Sequence, residues 1–327
     1  MELGAAIRAV RWPASWQDWL RWVLGAAVVG LIYYAYWVQV VEAAEGVYAI
    51  SCYQWLTGHW HNVSNYSHGP LIPLIAIGIV WMKGRGLLRA RLEPMLSGAW
   101  VLFAAMLIYY FGVKAMQPRL VVFSFVILLY GLVLTLAGRE VMRYLFFPIT
   151  FLLLMIPLNF LDEHIGFPLQ LLMAKVSAGF LNWLGIETVR VGTSIRSAVF
   201  DFDVANPCSG IRSLMALTTV TAAFAYVTQT KQWKRWVLFL SAIPLAVLGN
   251  MARVVGIALI GQVYGQGPAM RAHDYSGFIV FGVALIAMVG IGFLLNFPYR
   301  RILESWLRPL PAPVPASETG MAGNSPS

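Results

Sequence analysis

Three side chains equipped for covalent, electrostatic and proton-transfer chemistry stand apart in an otherwise apolar sequence: Cys208, Arg253 and His273. Cys208 lies in Asn206-Pro207-Cys208-Ser209-Gly210-Ile211-Arg212-Ser213. Asn206 is suited to cap a helix and Pro207 to open it, which puts Cys208 in the first turn. There the unpaired N–H groups and the helix dipole favour a thiolate, and Arg212, four residues on, shares the same face. A small buried cysteine at a capped helix start gives the same local pattern, so its partners decide. Arg253 closes Asn250-Met251-Ala252-Arg253, far into an apolar run where a guanidinium must be partnered or hydrated, unless it reaches the membrane surface. Asn250 sits one turn before it on the same face. His273, in Arg271-Ala272-His273-Asp274-Tyr275-Ser276-Gly277, is of the type best able to exchange protons near neutral pH. Together they supply a nucleophile, a cation for an oxyanion and a proton carrier.

Such residues need a scaffold, and composition says of what kind. Of 327 residues 59% are hydrophobic and 11% charged, and the mean hydropathy is +0.71. Soluble domains carry roughly 25% charged residues. The apolar residues fall in runs of about 15 to 25 divided by short charged loops, the spacing of membrane-crossing helices. Eight spans are expected, at about 20–41, 69–83, 95–113, 119–137, 141–158, 210–228, 236–262 and 276–297. The expected fold is therefore an all-α integral membrane protein, a polytopic bundle of about eight transmembrane helices, with a short extended segment in its long outer loop. The first run is longer than a signal-peptide core and is expected to be retained. Residues 69–83 are short for a ~30 Å hydrocarbon core, and that helix is expected to borrow residues from the preceding loop or to sit partly inside the bundle.

The longest connection, 159–209, contains an apolar stretch at 165–184 broken by Gln170, Lys175, Ser177 and Asn182, which predicts an interfacial amphipathic helix. Residues 187–204 alternate β-branched and polar types, as in Val189, Val191, Thr193 and Ile195, and predict a hairpin or extended segment. The expected organisation is a cytoplasmic N-terminus at 1–19, a membrane domain at 20–297 and a tail at 298–327. The Pro-, Ser-, Gly- and Ala-rich end, 309–327, is expected to be disordered.

The net charge of +9 reflects basic residues scattered singly or in small groups between apolar runs. That pattern argues for topology and against nucleic acid. The basic groups concentrate around Arg8–Arg21, Lys83–Arg91, Arg139–Arg143, Lys231–Arg235 and Arg300–Arg308, which assigns those loops and both termini to the cytoplasm. The loops 42–68, 159–209 and 263–275 then face outward, carrying all five histidines and both cysteines to the outer half. Arg253 lies 18 residues from Arg235, ~27 Å along a helix, and so reaches the outer boundary. Cys208, Arg253 and His273 thus arrive at one face from three different helix ends.

Arg212, Asn250, His68, Asn206 and Ser209 are the supporting or substrate-binding candidates. His68, in Tyr66-Ser67-His68-Gly69-Pro70, reaches the same face, although a helix-start turn explains it equally well. His59 and His61 lack a nearby cysteine or carboxylate cluster, so no metal is expected. No P-loop, dinucleotide fingerprint, H-E-x-x-H or G-x-S-x-G occurs, and no cofactor is expected. Pairing of Cys52 with Cys208 stays open.

These residues resemble the exosortases and their archaeosortase relatives. The likeness rests on Cys208-Ser209-Gly210, on Asn250 to Arg253, on His273 to Gly277 and on Ser67-His68-Gly69 before an apolar span, and it covers roughly 20–297. It implies a membrane cysteine protease or transpeptidase that cleaves C-terminal sorting signals of exported proteins. Such signals combine a Pro-Glu-Pro type motif, an apolar helix and a basic tail, and the product passes to an envelope acceptor. By that resemblance Cys208 forms a thioester, Arg253 stabilises the oxyanion and His273 protonates the leaving amine. The implied setting is a bacterial inner membrane, with lipid and the tailed substrates as partners. Two other classes compete. A lipid-linked sugar or acyl transferase would want outer carboxylates in ligand spacing, which Asp162, Glu163, Asp201 and Asp203 lack. A transporter would want polar residues through several spans, whereas the third, fourth and eighth are almost uninterrupted apolar runs.

Overall fold

The computed structural model describes residues 16–42, 49–61, 65–158, 162–203 and 211–297. Helix α1 (Trp16–Tyr33) runs into a π turn at Tyr34–Val38. Strands β1 (Val40–Glu42) and β2 (Ala49–Ser51) pair antiparallel, and α2 (Cys52–His59) follows at once. A capping box starts α2: Gln54 N donates to Ser51 Oγ at 3.2 Å and Ser51 N to Gln54 Oε1 at 3.1 Å. Then come α3 (Leu71–Arg89), α4 (Gly98–Lys114), α5 (Pro118–Leu136) and α6 (Gly138–Phe151), the last tightening into a 3-10 turn at Leu152–Met155. A π turn at Asp162–Gly166 leads into α7 (Phe167–Trp183). Strands β3 (Val189–Val191), β4 (Ser194–Arg196) and β5 (Asp201–Asp203) form an antiparallel sheet in that order. Helices α8 (Ile211–Thr228), α9 (Gln232–Tyr264) and α10 (Gln266–Asn296) complete the chain.

Among the described residues five helices are long and apolar enough to cross a membrane: α3, α5, α8, α9 and the Tyr275–Asn296 part of α10. Shorter apolar helices lie at Ala26–Val38 and Gly98–Lys114. Large apolar side chains such as Leu74, Trp100, Phe278 and Phe293 point outward, a surface that only hydrocarbon can solvate. One buried cluster joins the first half of the chain, including Tyr36, Trp55, Ile72, Val121 and Met155. Leu217, Ala242, Ala246 and Ala284 bind α8, α9 and α10 into a second group. Met173, Ala178, Leu181, Ile195 and Phe200 fasten α7 and the sheet onto α9 at Val254, Val255 and Ala258. The stretch expected to lie along the membrane surface thus packs its inner face on the bundle itself.

Three expectations need correction. Helix α3 does not borrow from the loop before it; it runs on through Lys83 and Arg85 to Arg89, because long basic side chains can leave the hydrocarbon while the backbone stays helical. The loop expected at 263–275 is replaced by a pivot at Gly265, with φ of +85°, after which α10 begins at Gln266. His273 is therefore a helical residue and not a loop residue. The fifth expected span, 141–158, ends its α-helix at Phe151. The tail 309–327 expected to be disordered lies outside the described residues.

The basic ends of several helices meet at one end of the bundle. Lys83 Nζ and Arg235 Cζ lie 5.6 and 4.9 Å from the centroid of the Tyr226 ring, Lys234 Nζ donates to Asn296 Oδ1 at 3.2 Å, and Arg91 N donates to Glu140 Oε2 at 2.9 Å. Close backbone approach holds α4 to α5, since a Cβ on Gly131 would lie 2.8 Å from the backbone nitrogen of Leu102. Replacing Gly131 with Ala is expected to part these helices and destabilise the protein by about 1–3 kcal/mol, read as a lower thermal midpoint in detergent. An unchanged midpoint would show that the contact is looser than it stands here.

Candidate active site

The packed layer of Leu217, Ala246 and Ala284 gives a common level from which to measure height. Ile211, the first residue of α8, is six residues above it, and Arg253 is seven residues above it on α9. On α10, Ser276 and His273 are eight and eleven residues above it. At helical rise these heights are ~9, ~10, ~12 and ~16 Å. The start of α8, the guanidinium-bearing turn of α9 and the early turns of α10 therefore share one end of the three-helix group. That end is opposite the one holding Lys83 and Arg235.

Arg253 is only 9% exposed, and a buried cation requires hydrogen-bond acceptors. It finds two on α10: Nε donates to Ser276 Oγ at 2.9 Å and Nη2 to the backbone carbonyl of His273 at 2.9 Å. Ser276 Oγ in turn donates to the same carbonyl at 3.1 Å, a back-bond one helical turn long. These bonds fix the guanidinium against α10, and among the described residues no acceptor meets Nη1. Gly277 offers a flat floor, since a Cβ there would stand 3.6 Å from Cζ, Nη1 and Nη2. Asn250, one turn below, is 2% exposed.

Arg253 and His273, both expected at one face, come into contact through the His273 main chain. Ser276 is not among the site residues expected from the sequence. The signal was present in the string His273 to Gly277, because a serine three residues after His273 on a helix faces the same neighbour. What hid it was the assumption of a loop.

Above Arg253 the site has a roof. Phe200 packs on Gly261 of α9, where a Cβ would come within 3.2 Å of it. Gln266, at the start of α10, clamps β5: Asp201 N donates to Gln266 Oε1 at 3.1 Å and Gln266 Nε2 to Asp201 O at 2.7 Å. Strand β5 is thus tied to α10, and the chain returns from it to α8. Arg212 is the second residue of α8 and half-buried. Cys208, Asn206 and Ser209, with the helix cap expected of Asn206 and Pro207, lie outside the described residues.

Cys52 is a free, buried thiol at the start of α2, and burial pushes its pKa up to about 11, which keeps it protonated and unreactive at neutral pH. His68 belongs to a different part of the bundle from Arg253. Its turn is held by Trp60, whose Nε1 donates to Met155 O at 3.3 Å, and by Tyr66, whose hydroxyl accepts from Leu158 N at 3.0 Å. It makes no hydrogen bond with Arg253 or Ser276. His59 and His61 each turn Nδ1 onto a carbonyl of their own segment, Trp55 O at 2.8 Å and Thr57 O at 2.9 Å.

Two measurements test this geometry. Ser276→Ala removes the acceptor of Arg253 Nε and should lower stability by about 1–3 kcal/mol, whereas Ser276→Thr keeps the oxygen and most of the stability. An alanine variant as stable as wild type would show that the bond carries nothing. Burial also pulls the His68 pKa down from its ordinary value to about 4. The unfolded chain then binds the proton more readily, so the fold loses stability as pH falls from about 6.5 toward about 4. The thermal midpoint of His68→Asn should decline less over that window than the wild-type midpoint; parallel profiles would contradict the burial.

A family model described as a transmembrane exosortase matches residues 60–290, which include Arg253, Ser276, His273 and all of α3 to α9. No curated protein and no solved structure matches. With more than half of its length matched and a multi-pass helical architecture around the Arg253 site, the chain belongs to the transmembrane exosortase family.

Proposed function

We propose that this chain is a membrane cysteine transpeptidase that cleaves C-terminal sorting signals of exported proteins and transfers the product to an envelope acceptor. The observation that carries the reading is the buried Arg253, fixed by two bonds to α10 and level with the start of α8, with no acceptor for Nη1 among the described residues. Ile211 is three positions after Cys208, a reach of no more than ~11 Å between their α carbons. A carbonyl met by the Cys208 thiolate would then develop its negative charge within range of the guanidinium.

In this reading the sulfur adds to the scissile carbonyl and Nη1 of Arg253 binds the oxyanion. Collapse of the tetrahedral adduct breaks the C–N bond, and His273 gives its proton to the leaving amine. The resulting thioester is resolved by an acceptor, water, hydroxyl or amine, whose proton passes back to His273. Arg212, Asn250, Asn206 and Ser209 hold the helix start and the guanidinium in place, and His68 is a separate candidate contact for substrate.

The membrane arrangement is proposed with it. The chain crosses the bacterial inner membrane eight times, α1, α4 and α6 with its 3-10 extension joining the five longer helices. The Lys83–Arg235 end lies in the cytoplasm with both termini, and Arg253 lies on the outer face. The substrates carry a Pro-Glu-Pro type motif, an apolar helix and a basic tail.

The test is to produce Cys208→Ala in a host that also makes a tailed substrate, and to follow substrate size by immunoblot. Loss of the processed band with normal levels of membrane-inserted variant is expected. Processing at the wild-type rate would end the cysteine mechanism.

A further inference from the structure

We propose that the groove between α3 and α8 is a binding site for an anionic phospholipid, with an acyl chain in the groove and the headgroup phosphate between Lys83 and Arg235. The groove has a volume of about 680 Å³ and an apolar lining. Ile79 and Met82 form its α3 wall, Val220 and Phe224 its α8 wall, and Gly78 and Ala223 leave the space between them open. Its size falls within the ~300–1,000 Å³ of small-molecule pockets. An apolar slot facing hydrocarbon would by itself accept any chain. The foot of the groove is what selects.

Lys83 is one helical turn beyond Ile79 on α3, and Tyr226 is three residues beyond Ala223 on α8. Lys83 Nζ reaches across to the Tyr226 ring at 5.6 Å, and Arg235 Cζ lies over the same ring at 4.9 Å. Phe147 stacks on that ring with a centroid distance of 3.8 Å, so the aromatic platform is fixed. Two cations converge on one ring, and neither is paired with a carboxylate among the described residues. Arg235 spends Nε on Gln229 O at 2.8 Å, Nη1 on Gln232 Oε1 at 3.0 Å and Nη2 on Tyr226 O at 3.4 Å. Among the described residues one hydrogen remains on each terminal nitrogen, and no acceptor takes a hydrogen of the Lys83 ammonium. Two cations on one aromatic ring make a site that favours an anion, and a phosphate ester joined to a chain that fits the slot above it supplies one. This site does not depend on the transpeptidase reading, since it lies at the opposite end of α8.

The experiment is native mass spectrometry of the full-length protein released from detergent with equal amounts of dioleoylphosphatidylglycerol and dioleoylphosphatidylcholine. The wild type should retain the glycerol lipid in preference. Lys83→Gln should lower its retention on the order of fivefold, Lys83→Arg should preserve it, and Arg89→Gln, which removes the same charge six residues further along α3, should leave it unchanged. Ala223→Leu, which fills the slot, should release both lipids. Equal retention of the two lipids by wild type would overturn the proposal. So would equal losses in Lys83→Gln and Arg89→Gln, which would mean diffuse surface charge, and so would undiminished binding by a folded Ala223→Leu variant.

Discussion

A guanidinium buried between two helices sets the terms for everything around it. Desolvating Arg253 is unfavourable unless acceptors meet it, and among the described residues these are the neutral His273 carbonyl and Ser276 hydroxyl. Neutral acceptors hold the cation without neutralising it. That leaves its charge available to an anion that forms during a reaction, which a salt bridge would have quenched. The arrangement requires α10 to be helical well before its apolar span, so that His273 and Ser276 present acceptors one turn apart. The pivot at Gly265 and the Gln266 clamp on β5 make that early start possible.

The roof follows from the same constraint. Helix α9 has 33 residues, ~50 Å of helix, against a hydrocarbon core of ~30 Å. Its excess length beyond Arg253 would expose apolar surface to water if nothing covered it. Helix α7 and the β3–β5 sheet pack there, burying Val254, Val255 and Ala258 beneath Met173, Leu181 and Phe200. The long connection is thus a small folded cap, and it delivers the chain from a tethered β5 to the start of α8.

Much of this was legible in the sequence, and the misses share one cause. The membrane character, the apolar face at 165–184 and the approach of Arg253 to His273 could be read because apolar runs and isolated charges report burial directly. The extension of α3 through Lys83 and Arg85, and the first turns of α10 from Gln266, could not. Hydropathy ends a span at the first charged residues, whereas the backbone remains helical as long as its hydrogen bonds continue. Ser276 was missed for that reason: in a loop it has no fixed neighbour, and on a helix it faces Arg253. His68 is expected on the same face as Arg253, yet its turn is held by Trp60 and Tyr66 in another part of the bundle, because a loop charge count assigns a side and not a position within it.

The central claim is that the reacting carbonyl meets sulfur from Cys208 beside the Arg253 guanidinium. The most direct measurement is peptide mass mapping of the full-length protein quenched in acid during turnover of a tailed substrate. A substrate-derived acyl group on Cys208, removed by neutral hydroxylamine as a thioester must be, is the result expected. Substrate turnover with the acyl group on another residue, or with no covalent adduct under quench conditions that trap a model thioester, would contradict the account.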